Sequence, residues 1–179
     1  MLNFCLITVT YNNSNYIRYL IESIKKSSAT QSFHLFISDN NSGDIDKVKA
    51  ICKIENNVTL ISSNKNYGFC QGNNIAVREA LNLDPEYIVF INPDLFLTEN
   101  WLDKAAKIIE GDSSIGVLSG PLLQFDFKLK QATGFIDSLG INASRYGKWF
   151  DINQGQNRTD SFVDVYPHAV CGALMLLKR

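Results

Sequence analysis

The chain predicts an α/β domain: a Rossmann-like, mostly parallel sheet flanked by helices, with a small β-rich portion added toward its carboxyl-terminal end. Three observations predict it. Five short apolar runs recur between residues 4 and 120, rich in β-branched and aromatic side chains. Stripes of apolar residues at helical spacing separate them, which is the alternation of a parallel sheet wrapped by helices. After Gly120 the alternation gives way to mixed apolar and polar stretches with no helical period.

The strand-like runs are "FCLITVT", "HLFIS", "VTLIS", "YIVFI" and "IGVLSG". Between the first two, Tyr16, Ile17, Leu20, Ile21 and Ile24 repeat at helical spacing behind a Ser14 cap. Ile45, Val48 and Cys52 form a weaker second stripe. Ile75, Ala76, Ala80 and Leu81 form a third after a cap at Asn73 or Asn74, and Trp101, Leu102, Ala105, Ala106 and Ile109 a fourth after Thr98. Each stripe reads as core packing. Beyond Gly120, "LLQFDFKLKQATGF" precedes a polar, glycine- and asparagine-rich stretch to about residue 161, read as a long loop. "FVDVYPHAVCGALMLLKR" then closes the chain.

With 179 residues and 45% hydrophobic content the chain is large enough for one domain with a substantial core. Its net charge of −1 advertises no nucleic-acid partner. Cys5, Cys52, Cys70 and Cys171 lack the spacing of a zinc site or redox pair and read as reduced packing residues. The amino-terminal "MLNFCLITVT" has no basic leader and too short an apolar run for a signal peptide or a membrane span, which implies a cytoplasmic protein. The sequon at Asn57 is then a chance product of an asparagine-rich composition.

In an open parallel sheet, ligands bind outside the carboxyl ends of the strands. The first four exits are Thr10-Tyr11-Asn12-Asn13, Asp39-Asn40-Asn41-Ser42, Ser63 to Gly68, and Asn92-Pro93-Asp94. Such residues are also ordinary turn and cap residues, so one exit alone is turn chemistry; four at one rim point to a ligand. The third, "NKNYGFCQGNN", carries Gly68 and Gly72 around a helix start and suits close approach of a phosphate or a sugar to backbone N–H groups. It matches neither GxGxxG nor GxxxxGK[ST]. Asp94, stiffened by Pro93, reads either as a turn residue or as a ligand for Mg²⁺ or Mn²⁺, which take one or two protein carboxylates and complete their shell with phosphates and water.

"ITVTYNN", "SDNNSGD", "NKNYGFCQGNN", "FINPD" and "CGALMLLKR", in this order, resemble the nucleotide-diphosphate-sugar glycosyltransferases of family two, in a rhamnosyltransferase-like branch. The resemblance implies the GT-A arrangement over a single domain, 1–179, with residues 1–120 as the nucleotide-sugar-binding half and 121–179 as an incomplete acceptor-side half. By similarity, the Val9 main chain and Tyr11 lie against the base, and Asp39 accepts from a base imide N–H. Asn66, Gly68, Gly72 and Asn73 line the nucleotide and sugar, and Asn92 and Asp94 match the ends of the family's DxD motif. The first position is Asn here, so Asp94 is the only anionic metal ligand and the donor diphosphate must complete the coordination of Mg²⁺ or Mn²⁺.

The implied reaction is transfer with inversion from a dTDP- or UDP-activated donor to a glycan or lipid-linked acceptor, in bacterial cell-surface polysaccharide synthesis. Peripheral association with the inner face of the membrane and homodimerisation through uncovered apolar surface are open alternatives. The general base of such a displacement belongs to an acidic motif downstream of the strand matching "GALMLLKR", so the chain is expected to be cut short or naturally shortened, and donor binding without turnover is the alternative function. Asp126, Asp137, Asp151, Asp160 and Asp164 match no family position and read as solvated surface or turn residues. His168 reads either as a donor to a sugar hydroxyl or as a packed strand residue. A sugar-phosphate nucleotidyltransferase would want a basic, glycine-rich loop after the first strand, which "TYNNSNY" is not.

Overall fold

A computed structural model describes residues 3–158 and 165–179. Asp160 and Asp164 lie outside the described residues. The elements run β1 (Phe4–Thr10), α1 (Ser14–Lys26), β2 (Phe33–Asp39), α2 (Ile45–Cys52), β3 (Val58–Ser62), α3 (Gly68–Leu81), β4 (Tyr87–Ile91), α4 (Trp101–Gly111), β5 (Val117–Leu118), β6 (Leu122–Asp126), β7 (Gln131–Ser138), β8 (Ile141–Ala143), β9 (Trp149–Asp151) and β10 (Leu174–Lys178). Six strands form one sheet in the order β3-β2-β1-β4-β10-β5, with β1 to β4 mutually parallel and β10 antiparallel to both its neighbours.

The period of two in the strands explains the layering. On β1, Phe4 and Leu6 face one side with α1, α2 and α4, and Cys5 and Ile7 face the other with α3. Both faces are covered, so the strand reads as an unbroken apolar run rather than an alternating one. Ile17, Leu20, Ile21 and Ile24 of α1 and Leu102, Ala105, Ala106 and Ile109 of α4 complete the larger core; Ala76 and Ala80 of α3, small enough to seat the helix closely, complete the smaller. No helix among the described residues is long and apolar enough to cross a membrane.

Four expectations change. Helix α3 starts at Gly68 rather than at a cap on Asn73 or Asn74, so Gly72 and Asn73 sit inside the helix. Gly68 takes φ +76°, a left-handed turn that glycine enters without strain, and a side chain from outside the helix, Asn66 Oδ1, accepts its N–H at 2.8 Å. The fifth strand shrinks to Val117–Leu118. The stretch read as a long loop holds the three-residue strands β8 and β9, paired through Ile141↔Asp151 to Ala143↔Trp149. The final apolar run enters the main sheet between β4 and β5, so residues from before and after Gly120 build one sheet.

The cysteines are all free. Cys5 and Cys52 are buried and burial pushes their thiols up to about 11, the state of inert packing residues. Cys70 departs from that expectation: it lies exposed in the first turn of α3.

Candidate functional site

The exits of β1, β3 and β4, with the first residue after β2, converge at the carboxyl-terminal edge of the sheet. They enclose an open cavity of about 340 Å³ lined by Val9, Tyr11, Asn13, Asn40, Asn66, Gly68, Phe69, Asn92, Pro93 and Asp94. Six of the nine residues expected from the sequence are therefore together: Val9, Tyr11, Asn66, Gly68, Asn92 and Asp94. Asp39, Gly72 and Asn73 stand behind the lining. A larger cavity of about 470 Å³ lies elsewhere, over the aromatic rings of Tyr16, Tyr19, Phe96, Phe125 and Phe127, and contains none of the nine.

The loops after β1 and β2 are tied to each other. Asn12 N donates to Ser42 Oγ at 2.9 Å, Gly43 N donates to Asn12 Oδ1 at 2.8 Å, and Ser14 N donates to Asp44 Oδ2 at 3.1 Å. Asn12 and Asn41 adopt φ of 57° and 64°, a conformation asparagine tolerates better than other residues with a side chain. Hydrogen bonding from Ser14 holds the Asp44 carboxyl below its ordinary range. So α1 takes its amino-terminal partner from the flank of α2, not from the expected Ser14 side-chain cap.

Asp39 is 1% exposed. Its Oδ2 accepts from Ser42 N at 3.0 Å, while Oδ1 is buried without a partner among the described residues. Asn40 shares that condition at its Oδ1, and its Nδ2 donates to Gly68 O at 3.1 Å. Gly72 packs against the same floor: a Cβ there would stand 2.9 Å from Val9 Cγ1 and 3.3 Å from Asn40 Nδ2. Asn73 is buried and donates from Nδ2 to Phe69 O at 3.0 Å, one turn back in α3. Gly72 and Asn73 thus support the wall of the cavity from behind.

Across the cavity, Asn92 N donates to Ala173 O at 2.9 Å and Leu95 N donates to Asn92 O at 3.2 Å, closing a turn that buries Pro93 and leaves Asp94 exposed. Asp94 is the only charged residue of the lining, with no ion-pair partner among the described residues. A lone carboxylate beside an amide, with no Lys or Arg to meet a diphosphate, fits a Mg²⁺ or Mn²⁺ shared with a phosphorylated ligand. It does not fit a cation held by protein alone: no group of three or more candidate ligand side chains occurs among the described residues.

Of the lining residues outside those nine, Asn13, Asn40 and Pro93 stand in strand exits the sequence had singled out without a role of their own, and Phe69 was missed. Phe69, half exposed and sharing the lining with the half-exposed Tyr11, carried a signal in its place beside Gly68 in the polar, glycine-rich third exit, but a lone aromatic residue is more often a packing residue. His168 is neither packed nor at the cavity; it lies exposed, with its N and Nδ1 both on Asn142 Oδ1. Asp126 Oδ1 accepts from Lys128 N and Leu129 N, at 2.8 and 3.0 Å, as the turn residue expected.

Residues 5–162 match the model of the family described as glycosyl transferase family 2. The rhamnosyltransferase WbbL of Escherichia coli (strain K12) is 28% identical over 109 residues, which are 59% of this chain and 39% of that protein. Among solved structures, S. aureus TarS 1-349 in complex with UDP-GlcNAc superposes with a TM-score of 0.57 at 25% identity, over 70% of this chain and 35% of that one. The mannosyltransferase PcManGT of Pyrobaculum calidifontis, in complex with GDP-Man and Mn²⁺, gives 0.56 at 20% identity over 67% and 35%. The chain thus spans little more than a third of the length of these relatives, and it shares with them the GT-A type of α/β sheet.

Proposed function

The chain belongs to glycosyl transferase family 2, and on that premise we propose that it transfers a sugar from a UDP- or dTDP-activated donor to a glycan or lipid-linked acceptor, with inversion at the reacting carbon. The observation that carries the reading is the convergence of Tyr11, Asn66, Gly68, Asn92 and Asp94, from three strand exits, on one cavity whose only charge is a carboxylate. The likeness to TarS, solved with UDP and with UDP-GlcNAc, favours a uridine donor, and the likeness to a rhamnosyltransferase favours rhamnose or a related sugar in bacterial surface-polysaccharide synthesis.

In this reading the rings of Tyr11 and Phe69 flank the base, Asp39 reads it from behind the lining, and Asn92 donates to a ribose hydroxyl. Asp94 holds the cation against the diphosphate. When bound, Mg²⁺ or Mn²⁺ offsets the charge that builds on the leaving diphosphate as the sugar bond breaks. A direct displacement also requires a base at the acceptor hydroxyl. Because Asp94 is the only carboxylate of the lining, that base comes from outside it, and the same observation favours a second reading, a donor-binding domain without turnover. Work at the cytoplasmic face of a membrane follows if the acceptor is lipid-linked.

Incubation with UDP- and dTDP-sugars plus Mn²⁺, followed by thermal unfolding and by release of nucleoside diphosphate, tests both. At a hundredfold excess over Kd a bound donor adds about 2.7 kcal/mol, which for a domain of this size is about 5–10 °C in Tm. Stabilisation with release supports transfer; stabilisation alone supports the binding domain; neither overturns the reading. Asp94→Ala is expected to abolish the Mn²⁺-dependent part of the shift, and an unchanged shift removes the cation from Asp94.

A further inference from the structure

The cavity of about 470 Å³ over the aromatic rings has no part in the reading above. Its walls come from three segments. On α1, Tyr16, Tyr19, Ser23 and Lys26 recur at helical spacing, on a different face from the buried Ile17, Leu20, Ile21 and Ile24. Phe96 follows β4, and its neighbour Leu97 is pinned to α1: Leu97 N donates to Ser23 Oγ at 3.2 Å, and that hydroxyl donates to Leu20 O at 2.8 Å. Phe125 stands in β6 and Phe127 in the turn after it. Phe96, Phe125 and Phe127 meet edge to face with ring centroids 4.9 to 6.0 Å apart. Rings that only filled a small core would close the space between them. Here Tyr19 and Phe127 stay 42% and 44% exposed over a space of the size that ligands occupy.

The chemistry of the lining narrows the ligand. Its apolar part is five aromatic rings and a single aliphatic residue, Leu97. Its charges balance: Lys26 and Lys130 face Glu22 and Glu99, and none of the four has an ion-pair partner among the described residues. Lys130 Nζ instead lies 5.1 Å from the centre of the Tyr19 ring. A phosphate or carboxylate would want a surplus of cations, and it would meet two carboxylates. A hydrocarbon chain would cover four charged groups without pairing any of them. A neutral pyranose suits both parts, because its flat C–H face lies on an aromatic ring while the hydroxyls at its edge donate to the carboxylates and accept from the ammonium groups.

We infer that this cavity is a sugar-binding subsite for a neutral pyranose of a glycan, a unit other than the one that reacts. Its place supports a role beside the donor. Asn13 and Asp94 line the donor cavity, and Asn15 and Phe96, each two residues further along the same segments, line this one. Two residues span at most about 7 Å of chain, so a glycan seated on the rings runs next to the donor cavity. That the glycan is the acceptor, in place of a lipid carrier alone, rests on the transferase reading; the binding of the sugar does not.

Saturation-transfer NMR of the full chain with methyl glycosides of rhamnose, galactose and N-acetylglucosamine tests it, with sorbitol as an open-chain polyol and geranyl phosphate as a prenyl-carrier mimic. At least one glycoside is expected to bind with a Kd of about 1–10 mM, its C–H protons taking the strongest saturation, and sorbitol about tenfold more weakly or not at all. Tyr19→Ala puts a good helix former at an exposed position and is expected to weaken the glycoside about tenfold, whereas Tyr19→Phe, which keeps the ring, stays within about threefold. Phe127→Ser, in the exposed turn, is measured beside them and is expected to show the same loss even if Tyr19→Ala folds poorly. Binding unchanged in a folded Tyr19→Ala or Phe127→Ser variant overturns the assignment, because the sugar then sits elsewhere on the protein. Sorbitol bound as well as the glycosides, or geranyl phosphate bound in their place, overturns it too. UDP with Mn²⁺ is titrated separately. If UDP binds and no glycoside does, the subsite falls and the donor reading stands; if a glycoside binds and UDP does not, the subsite stands and its role beside a donor falls.

Discussion

Replacing Gly72 by alanine sets two opposed effects against each other. Gly72 is the fifth residue of α3, and in a helix interior alanine is favoured over glycine by about 1 kcal/mol. Against this, the new Cβ would stand 2.9 Å from Val9 Cγ1 and 3.1 Å from Val9 Cγ2, where ordinary contact begins at 3.4 Å. Valine is stiff at χ1, and rotating it only exchanges one methyl for the other, so the side chain has no way out. Helix α3 must move by about half an ångström or the strand must bend. Overpacking of this kind costs roughly 1–3 kcal/mol, so the net is a loss of about 1 kcal/mol, with a range from near zero to about 2. For a chain of this size that lowers Tm by about 2–4 °C. Because Val9 and Asn40 line the cavity, UDP affinity is expected to fall with it, by about tenfold. Thermal unfolding with and without UDP and Mn²⁺ reads both. A variant that gains stability and binds UDP as before would show that α3 does not press on the cavity floor, and the account of Gly72 would be wrong.

Leu176→Ala tests whether the last strand belongs to the main sheet. Leu176 is fully buried between Val89 and Leu118, so truncation is expected to cost about 2–5 kcal/mol in urea unfolding; a loss below about 1 kcal/mol would contradict the order β4-β10-β5. Asp103 accepts from Ala29 N and Thr30 Oγ1, each at 2.8 Å, and from Ser28 Oγ at 3.2 Å, tying α4 to the loop before β2. The Ala29 N–H foremost, with the Thr30 and Ser28 groups, holds its carboxyl below the ordinary range. A lowered folded value means stability that is present above the unfolded carboxylate pKa near 3.9 and is lost as pH falls through the folded one. Asp103→Asn should therefore be about 1 kcal/mol less stable at pH 7, a low figure because the carboxylate is partly solvated, and the gap should close below about pH 4. A gap independent of pH would argue for shape rather than charge.

Much of the fold was legible because its signals are local. The runs at β1 to β4 coincide with the strands to within a residue, since β-branched and aromatic side chains in short blocks report burial on both faces whatever lies across the sheet. The stripe of Ile17, Leu20, Ile21 and Ile24 reports α1 for the same reason at a different period. Elements of two or three residues, β5, β8 and β9, are too short to show a period; β8 and β9 pair with each other across a short connection, and β5 pairs with β10, far along the chain. The early start of α3 was hidden because glycine at positions 68 and 72 argues against a helix from propensity alone. Tertiary contact with Val9 and Asn40 overrides that preference.

For the site, the sequence by itself determined which residues stand at the strand exits, because the strand ends are set by local pattern and a parallel sheet presents all such ends at one edge. It therefore placed Tyr11, Asn66, Gly68, Asn92 and Asp94 together before any coordinates. Only the tertiary structure decided that Asn40 lines the cavity with an oxygen unpaired among the described residues, that Asp39 lies behind it and that Phe69 shares the lining with Tyr11. It also decided that the last strand slots beside β4. These are questions of which face a side chain takes and which distant strand it meets, and they are settled by pairing and packing between segments tens of residues apart, of which no local window carries a trace.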